Sequence, residues 1–240
     1  MLNIVHIKHG LIAIFCLLSF VISSQGTGQE LDKVSIQLNW QHQFQFAGYY
    51  AAKEQGFYQE LGLEVELREF DGQSAIDDYV IDGIADYGVG NSSLVVAKSK
   101  GKPVVIVAQI FQHSPATLAT LSSSKISSPF DLIGKRIMME AKLEDYAPIV
   151  AMLTQAKQNI SAFTLQEQSY QLSALVQGDT DAIVIYNTDE PFKFKQENVD
   201  IFIIDPRDYG IDFYGDNLFT SESEVKNNPQ RVQAIRQATI

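Results

Sequence analysis

Two periods of apolar spacing run through the chain, and the places where one gives way to the other mark its elements. Val34, Ile36 and Leu38 alternate with Ser35 and Gln37, so Val34–Leu38 is predicted as a strand. Gly48–Glu60 carries Tyr49, Ala52 and Phe57 on one face and is predicted as a single helix. Leu63–Phe70 sets Leu63, Val65 and Leu67 against Glu64, Glu66 and Arg68, the pattern of a half-buried strand. Asp71-Gly72-Gln73-Ser74 is a turn, with Ser74 placed to cap a helix ending near Asp82. Tyr87-Gly88-Val89 is predicted as a short strand, Ser92–Lys100 as a helix, and Pro103–Gln109 as a near-continuous apolar strand covered on both faces.

The alternation restarts at Ala116. Strands are predicted at Ala116–Leu121, Arg136–Met139, Ala162–Leu165, Ala182–Tyr186 and Ile201–Ile204. Between them lie a helical turn at Pro129–Leu132, helices at Pro148–Gln158 and Tyr170–Gln177, and a helical turn at Pro191–Lys195. Asn228-Pro229 opens a last helix that runs to Ile240 without a stop signal. Two rounds of strand and helix with short connections imply an α/β protein of two lobes. Residues 34–113 with 206–240 form the first expected lobe, and 114–205 the second. The crossings fall near Gln112–Pro115 and Asp205–Tyr209, and a cleft between the lobes is the natural place for a ligand.

The N-terminus changes this picture. Lys8, with His6 and His9, precedes an apolar run from Leu11 to Ile22, and Ser23-Ser24-Gln25-Gly26 follows. Residues 1–25 are therefore expected to be an export signal, shorter than the roughly 20 apolar residues of a spanning helix, and 26–33 a tether. An uncleaved anchor is the alternative, since Ile4 and Val5 extend the apolar character. Either way the expected location is periplasmic. Cys16 is the only cysteine, so once the signal is removed neither a disulfide nor a thiolate metal site is expected. The formal net charge is −11, and loss of Lys8 leaves 17 basic against 29 acidic residues. An acidic surface of this kind repels phosphate backbones, so nucleic acid is not an expected partner.

The richest chemistry lies between the first strand and the first helix. Asn39–Ala52 crowds Trp40, Phe44, Phe46, Tyr49, His42, Gln43 and Gln45 into one strand-to-helix turn. Flat apolar faces beside fixed amides suit a small planar polar ligand, whereas an ordinary turn carries Gly, Asn, Asp and Ser. Trp40 either stacks on the ligand or packs the lobes together; Phe44, Phe46 and Tyr49 divide between lining and core. Gly88-Val89-Gly90-Asn91-Ser92-Ser93 offers free N–H groups and hydroxyls at a helix start, where Asn91, Ser92 and Ser93 either hold a ligand oxygen or serve as caps. His113 lies at the first crossing and reads as a cleft residue or a hydrogen-bonded hinge residue. Glu140, Asp189 and Glu190 follow strand ends and would accept from an amine, though Asp189 equally suits a cap before Pro191. Tyr186 and Tyr214 complete the ligand-contacting candidates. Two histidines, His42 and His113, without cysteine or matched carboxylate spacing do not make a metal site, and no cofactor is expected.

Four runs in order, NWQHQFQFAGYYAAKEQGFY, YGVGNSSLVVAKSKGKPVVIVAQIFQHSP, ISSPFDLIGKRI and RDYGIDFYGDNLFTSE, carry a family resemblance. The chain resembles the thiamine-pyrimidine-precursor and alkanesulfonate/nitrate/taurine type of ABC transporter substrate-binding proteins, the thiamine pyrimidine synthase-like group. That resemblance implies the two-lobed type II periplasmic binding fold and capture of a small organic molecule for an ABC permease. It also implies further C-terminal helices, since this chain stops inside a last helix. Similar modules precede membrane-bound signalling domains, the alternative partner. Relatives commonly have Asn where this chain has Asp189, which replaces a donor by an acceptor. Eukaryotic relatives act as pyrimidine synthases through a histidine, iron and a cysteine-rich segment. Here Phe44-Gln45-Phe46-Ala47-Gly48 stands where they have an Asn-His pair, and no Gly-x-Ser-x-Gly elbow is present. A binding protein rather than an enzyme is the expected function.

Overall fold

The computed structural model describes residues 30–139, 142–156 and 159–240. The expected signal, Cys16 and Glu140 lie outside the described residues. The described residues form two five-stranded sheets connected and covered by short helices.

The first sheet has the order β2-β1-β3-β10-β4, from β1 (Asp32–Gln37), β2 (Leu63–Arg68), β3 (Tyr87–Gly90), β4 (Val104–Gln109) and β10 (Asn217–Ser221). β1 runs parallel to β2 and β3, while β10 enters antiparallel between β3 and β4. The second sheet, β7-β6-β8-β5-β9, holds β5 (Ala116–Leu121), β6 (Arg136–Met138), β7 (Thr164–Gln166), β8 (Ala182–Tyr186) and β9 (Ile201–Ile204). Here β6 is parallel to β7 and β8, and β5 lies antiparallel between β8 and β9. Each sheet thus takes one antiparallel strand from the stretch of chain that crosses between them.

Local chemistry explains where the elements depart from expectation. The predicted helix at Gly48–Glu60 is two, α1 (Ala47–Glu54) and α2 (Phe57–Glu60), because Gly56 takes a φ of 81° and turns the chain between them. α3 (Ile76–Ile81) starts after Ala75, and Ser74 does not cap it. Pro129–Leu132 forms turns rather than helix. Only Ser173–Val176 of the predicted Tyr170–Gln177 helix is helical. β4 is an edge strand in which only Val104 and Ala108 are buried, not the doubly covered strand its composition suggested. β1 begins at Asp32, inside the expected tether. β10 escapes a periodicity reading because Leu218 and Phe219 are its only strongly apolar residues, yet all five of its residues are buried.

Each sheet has its own core. Val34 and Ile36 of β1, and Leu38 just after it, pack with Phe46, Tyr49 and Tyr58 and with Ile235 of α9 (Pro229–Thr239). Leu118, Ile137 and Val184 pack with Ile149, Met152 and Leu153 of α5 (Ala147–Gln155). The C-terminal helices are pinned by a buried ion pair. Arg231 donates from Nε and Nη2 to the two Glu224 oxygens at 2.6 Å each, and the Tyr87 hydroxyl donates to Oε1 at 3.0 Å. Burial opposes the Glu224 charge, but the Arg231 guanidinium and the Asn228 amide outweigh it and hold its pKa below the ordinary carboxylate value.

The two crossings lie side by side. Ile110 and Phe111 both donate their N–H to the Asp216 carbonyl at 3.0 Å, Gly215 donates to the Phe111 carbonyl at 2.9 Å, and Ser114 to the Phe213 carbonyl at 2.7 Å. A Cβ on Gly215 would meet Phe111 Cβ at 2.7 Å and the His113 carbonyl at 2.9 Å, so only glycine permits this approach.

Candidate functional site

Where the C-terminal ends of β1, β3 and β8 face one another, the residues singled out by sequence meet partners from the opposite sheet. The turn after β1 is held first by backbone: Leu38 donates to the Arg68 carbonyl at 2.8 Å and Phe70 to the Trp40 carbonyl at 3.2 Å. The Gln37 amide reinforces it, donating to the Glu69 carbonyl at 2.9 Å. This fixes the Trp40 indole, which stacks on Phe70 with centroids 6.5 Å apart. Its other neighbour is Tyr170, from the second-sheet side, at 4.7 Å and an interplanar angle of 51°. Tyr170 holds a φ of 60°, a conformation bulky residues rarely adopt. The indole therefore packs the seam between the sheets.

Beside it lies a polar cluster around Asp216, which is 2% exposed. The Asn39 amide donates to its Oδ1 at 3.2 Å, and the Gln45 amide donates to its Oδ2 at 3.1 Å. Gln45 also donates to Asn39 Oδ1 at 3.1 Å, closing a ring of three side chains. Tyr186, at the end of β8 in the other sheet, hydrogen-bonds the same carboxyl. Burial pushes the Asp216 carboxyl up to about 7, and its three donors work in the opposite direction. Burial, with Asp216 as a secondary cause, also raises the Tyr49 hydroxyl well above its ordinary value. That hydroxyl is buried and has no hydrogen-bond partner among the described residues.

A cavity of about 290 Å³ opens next to the cluster. Phe44, Gln45, Gly48 and Tyr49 form one wall, Ile110 and Phe111 of the first crossing another, and Thr188 and Thr239 complete it. Phe44 is 77% exposed at its mouth. Phe46, by contrast, is fully buried in the core and presents no face to a ligand.

The glycine-rich corner has a different occupant. Asn91 Oδ1 accepts the Ser93 N–H at 2.8 Å, capping α4 (Ser93–Ser99), while its amide donates across the seam to the Asp145 carbonyl at 3.1 Å. Ser92 is half-buried beside it. Burial raises the Asp145 carboxyl above its ordinary value, and a hydrogen bond from Ser93 partly offsets this.

The remaining candidates are engaged locally. His113 Nδ1 lies 2.9 Å from both oxygens of Asp212, an exposed pair beside the crossings. Asp189 pairs with Lys193 one helical turn on. Glu190 Oε2 accepts the Tyr186 N–H at 2.8 Å, and burial raises its pKa. Tyr214 is half exposed. Sequence reasoning missed Asn39, Asp145, Tyr170 and Asp216. Asp216 was legible only as a polar residue inside a quoted motif, since its partners lie 171 and 177 positions away. Among the described residues no cluster of three or more His, Cys, Asp or Glu is placed to hold a metal ion, and no helix is long and apolar enough to cross a membrane.

Comparison with known proteins places this arrangement in context. A family model described as NMT1/THI5 like matches residues 43–240. The riboflavin-binding protein RibY of Chloroflexus aurantiacus is 24% identical over 215 residues, covering 88% of this chain and 61% of its own length. The chain thus spans about three-fifths of that relative. The formylaminopyrimidine-binding protein of Halalkalibacterium halodurans is 25% identical, covering 96% of this chain and 71% of its own length. A 4-amino-5-hydroxymethyl-2-methylpyrimidine phosphate synthase of Legionella pneumophila is 32% identical, but only over 44% of this chain and 34% of its own length. Among solved structures, the alkanesulfonate-binding protein SsuA of Xanthomonas axonopodis pv. citri bound to MOPS superposes with a TM-score of 0.69 at 17% identity, covering 88% of this chain and 72% of its own. The two-sheet α/β architecture is therefore the fold of periplasmic binding proteins.

Proposed function

Because the chain belongs to the NMT1/THI5-like family, we propose that it is an exported solute-binding protein. It encloses a small planar organic molecule between its two sheets and presents it to an ABC permease. The observation that carries this reading is the seam itself. A tryptophan held by backbone on one sheet meets a tyrosine from the other at 4.7 Å, beside a buried carboxyl whose donors come from both sheets. Rings on one side and fixed polar groups on the other orient a flat heteroaromatic molecule and require no nucleophile. Separation of the rings admits the solute between them, and closure returns the sheets to each other.

Two relatives with named ligands, riboflavin and formylaminopyrimidine, direct the choice of solute toward a planar pyrimidine-type ring. The Asn39, Gln45 and Asp216 cluster suits such a ring edge, which carries both donors and acceptors. The Legionella relative is named as a synthase, but its similarity stops at under half of this chain. The single cysteine, Cys16, leaves this chain without a cysteine-rich segment. The reading is capture without turnover.

Thermal-shift measurements with riboflavin, formylaminopyrimidine, 4-amino-5-hydroxymethyl-2-methylpyrimidine and MOPS test it. A ligand at about 100 times its Kd stabilises by about 2.7 kcal/mol, a readable shift. At least one pyrimidine-ring compound is expected to raise the melting temperature, and Trp40→Ala to cut the increase by about half or more. No stabilisation by any of the four, or recovery of a chemically altered compound, overturns the proposal.

A further inference from the structure

The corner expected to meet a ligand oxygen is filled by the chain's own Asp145. The geometry is directional. Ser93 must give its N–H to an oxygen, and it gives it to Asn91 Oδ1 at 2.8 Å. That fixes the sense of the Asn91 amide, so its N–H₂ points across the seam and donates to the Asp145 carbonyl at 3.1 Å. The Asp145 carboxyl, half-buried, takes a hydrogen bond from Ser93. The adjacent residue adds an outer clasp, Glu144 lying 3.3 Å from Lys100 Nζ at the far end of α4. Both clasps come from one short 3₁₀ turn, Leu143–Tyr146, that leads into α5. Neither involves the Trp40–Tyr170 ring contact or the Asp216 cluster.

We propose that the Lys142–Tyr146 segment is a latch: Asp145 occupies the Asn91–Ser93 corner and holds the two sheets closed in the absence of solute. A solute entering the seam displaces this contact, and its apparent affinity is lowered by the fraction of molecules that are latched. The last consequence rests on the solute-binding reading; the latch itself does not.

The test measures closure without any ligand. Cys16→Ser removes the native thiol, and spin labels at Lys53→Cys on α1 and Lys195→Cys on α7 (Glu190–Gln196) report the separation of the sheets. Both positions are exposed. The parent is expected to give one short distance population. Asn91→Ala with Asp145→Ala is expected to lower the closed-to-open ratio about tenfold, the scale of one or two net hydrogen bonds. Asp145→Asn, which keeps the backbone carbonyl and a side-chain acceptor oxygen, is the conservative control and is expected to stay closed like the parent. Circular dichroism confirms that each variant is folded. Identical distance distributions in parent and double variant, or opening by Asp145→Asn equal to that of the double variant, overturn the latch, whatever the outcome of the solute screen.

Discussion

Replacing Asp216 with asparagine asks what a buried carboxyl does to this fold as pH changes. In the folded chain its pKa is pushed from 3.8 up to about 7 by burial, although Asn39, Gln45 and Tyr186 all hydrogen-bond it. Between these two values the folded state binds a proton that the unfolded state has released. The carboxyl's contribution is therefore complete below pH 3.8 and is lost as pH rises toward 7, so stability falls with rising pH across that window. Integrated from pH 5 to pH 8, the loss is about 3 kcal/mol for this one group. Asp216→Asn keeps the shape and cannot ionise. Its amide turns one donor toward the Asn39–Gln45 pair, which costs about 1 kcal/mol of hydrogen bonding at pH 5. The assay is urea denaturation of both proteins at several pH values from 5 to 8. The difference between them cancels the titration of every other group. The expected result is a variant less stable than the parent at pH 5 and more stable at pH 8. A difference that stays constant across the range refutes the assignment of a proton to the folded Asp216.

Three further expectations follow from the packing. Gly88→Ala would place a Cβ 2.6 and 2.7 Å from two carbons of the Phe219 ring and 3.0 Å from Ile76, so overpacking is expected to cost about 1–3 kcal/mol in denaturant unfolding; an unchanged midpoint would contradict the packing. Arg231→Met leaves the buried Glu224 carboxylate without its guanidinium and is expected to lower stability by about 3 kcal/mol at pH 7, with the deficit shrinking as Glu224 is protonated in acid. Trp40→Ala removes the ring contacts with Phe70 and Tyr170; calorimetry on whichever pyrimidine-ring compound binds is expected to show a loss of about tenfold in affinity or more. Equal affinity in that variant would assign the indole to scaffolding.

What the chain reveals from its order alone is set by the range of the forces involved. β1, β2, β5 and β8 were legible because alternation or an unbroken apolar run is a local signature of burial. β10 was not, because Asn217–Ser221 becomes a strand by filling a slot between β3 and β4 that its own composition does not announce. The same divide runs through the site. Trp40 and Tyr186 declared themselves as rings at strand ends, and both reach the seam. Asp216 and Tyr170 matter through partners on distant segments. Asn91 reads as a ligand contact or a cap; its Oδ1 accepts the Ser93 N–H as a cap does, and its amide donates to the Asp145 carbonyl. Glu190 was read as an acceptor for an amine, and it accepts instead from the Tyr186 backbone.

The threading of the sheets has a consequence during biosynthesis. The second sheet is made from one uninterrupted stretch, Ala116–Ile204, and all its strands are synthesised before Asn217. The first sheet must wait, with the facing edges of β3 and β4 unpaired until β10 is inserted. The later-numbered half can thus settle first, while the earlier half carries exposed strand edges that invite wrong pairing until Asn217–Ser221 is available to fill the gap.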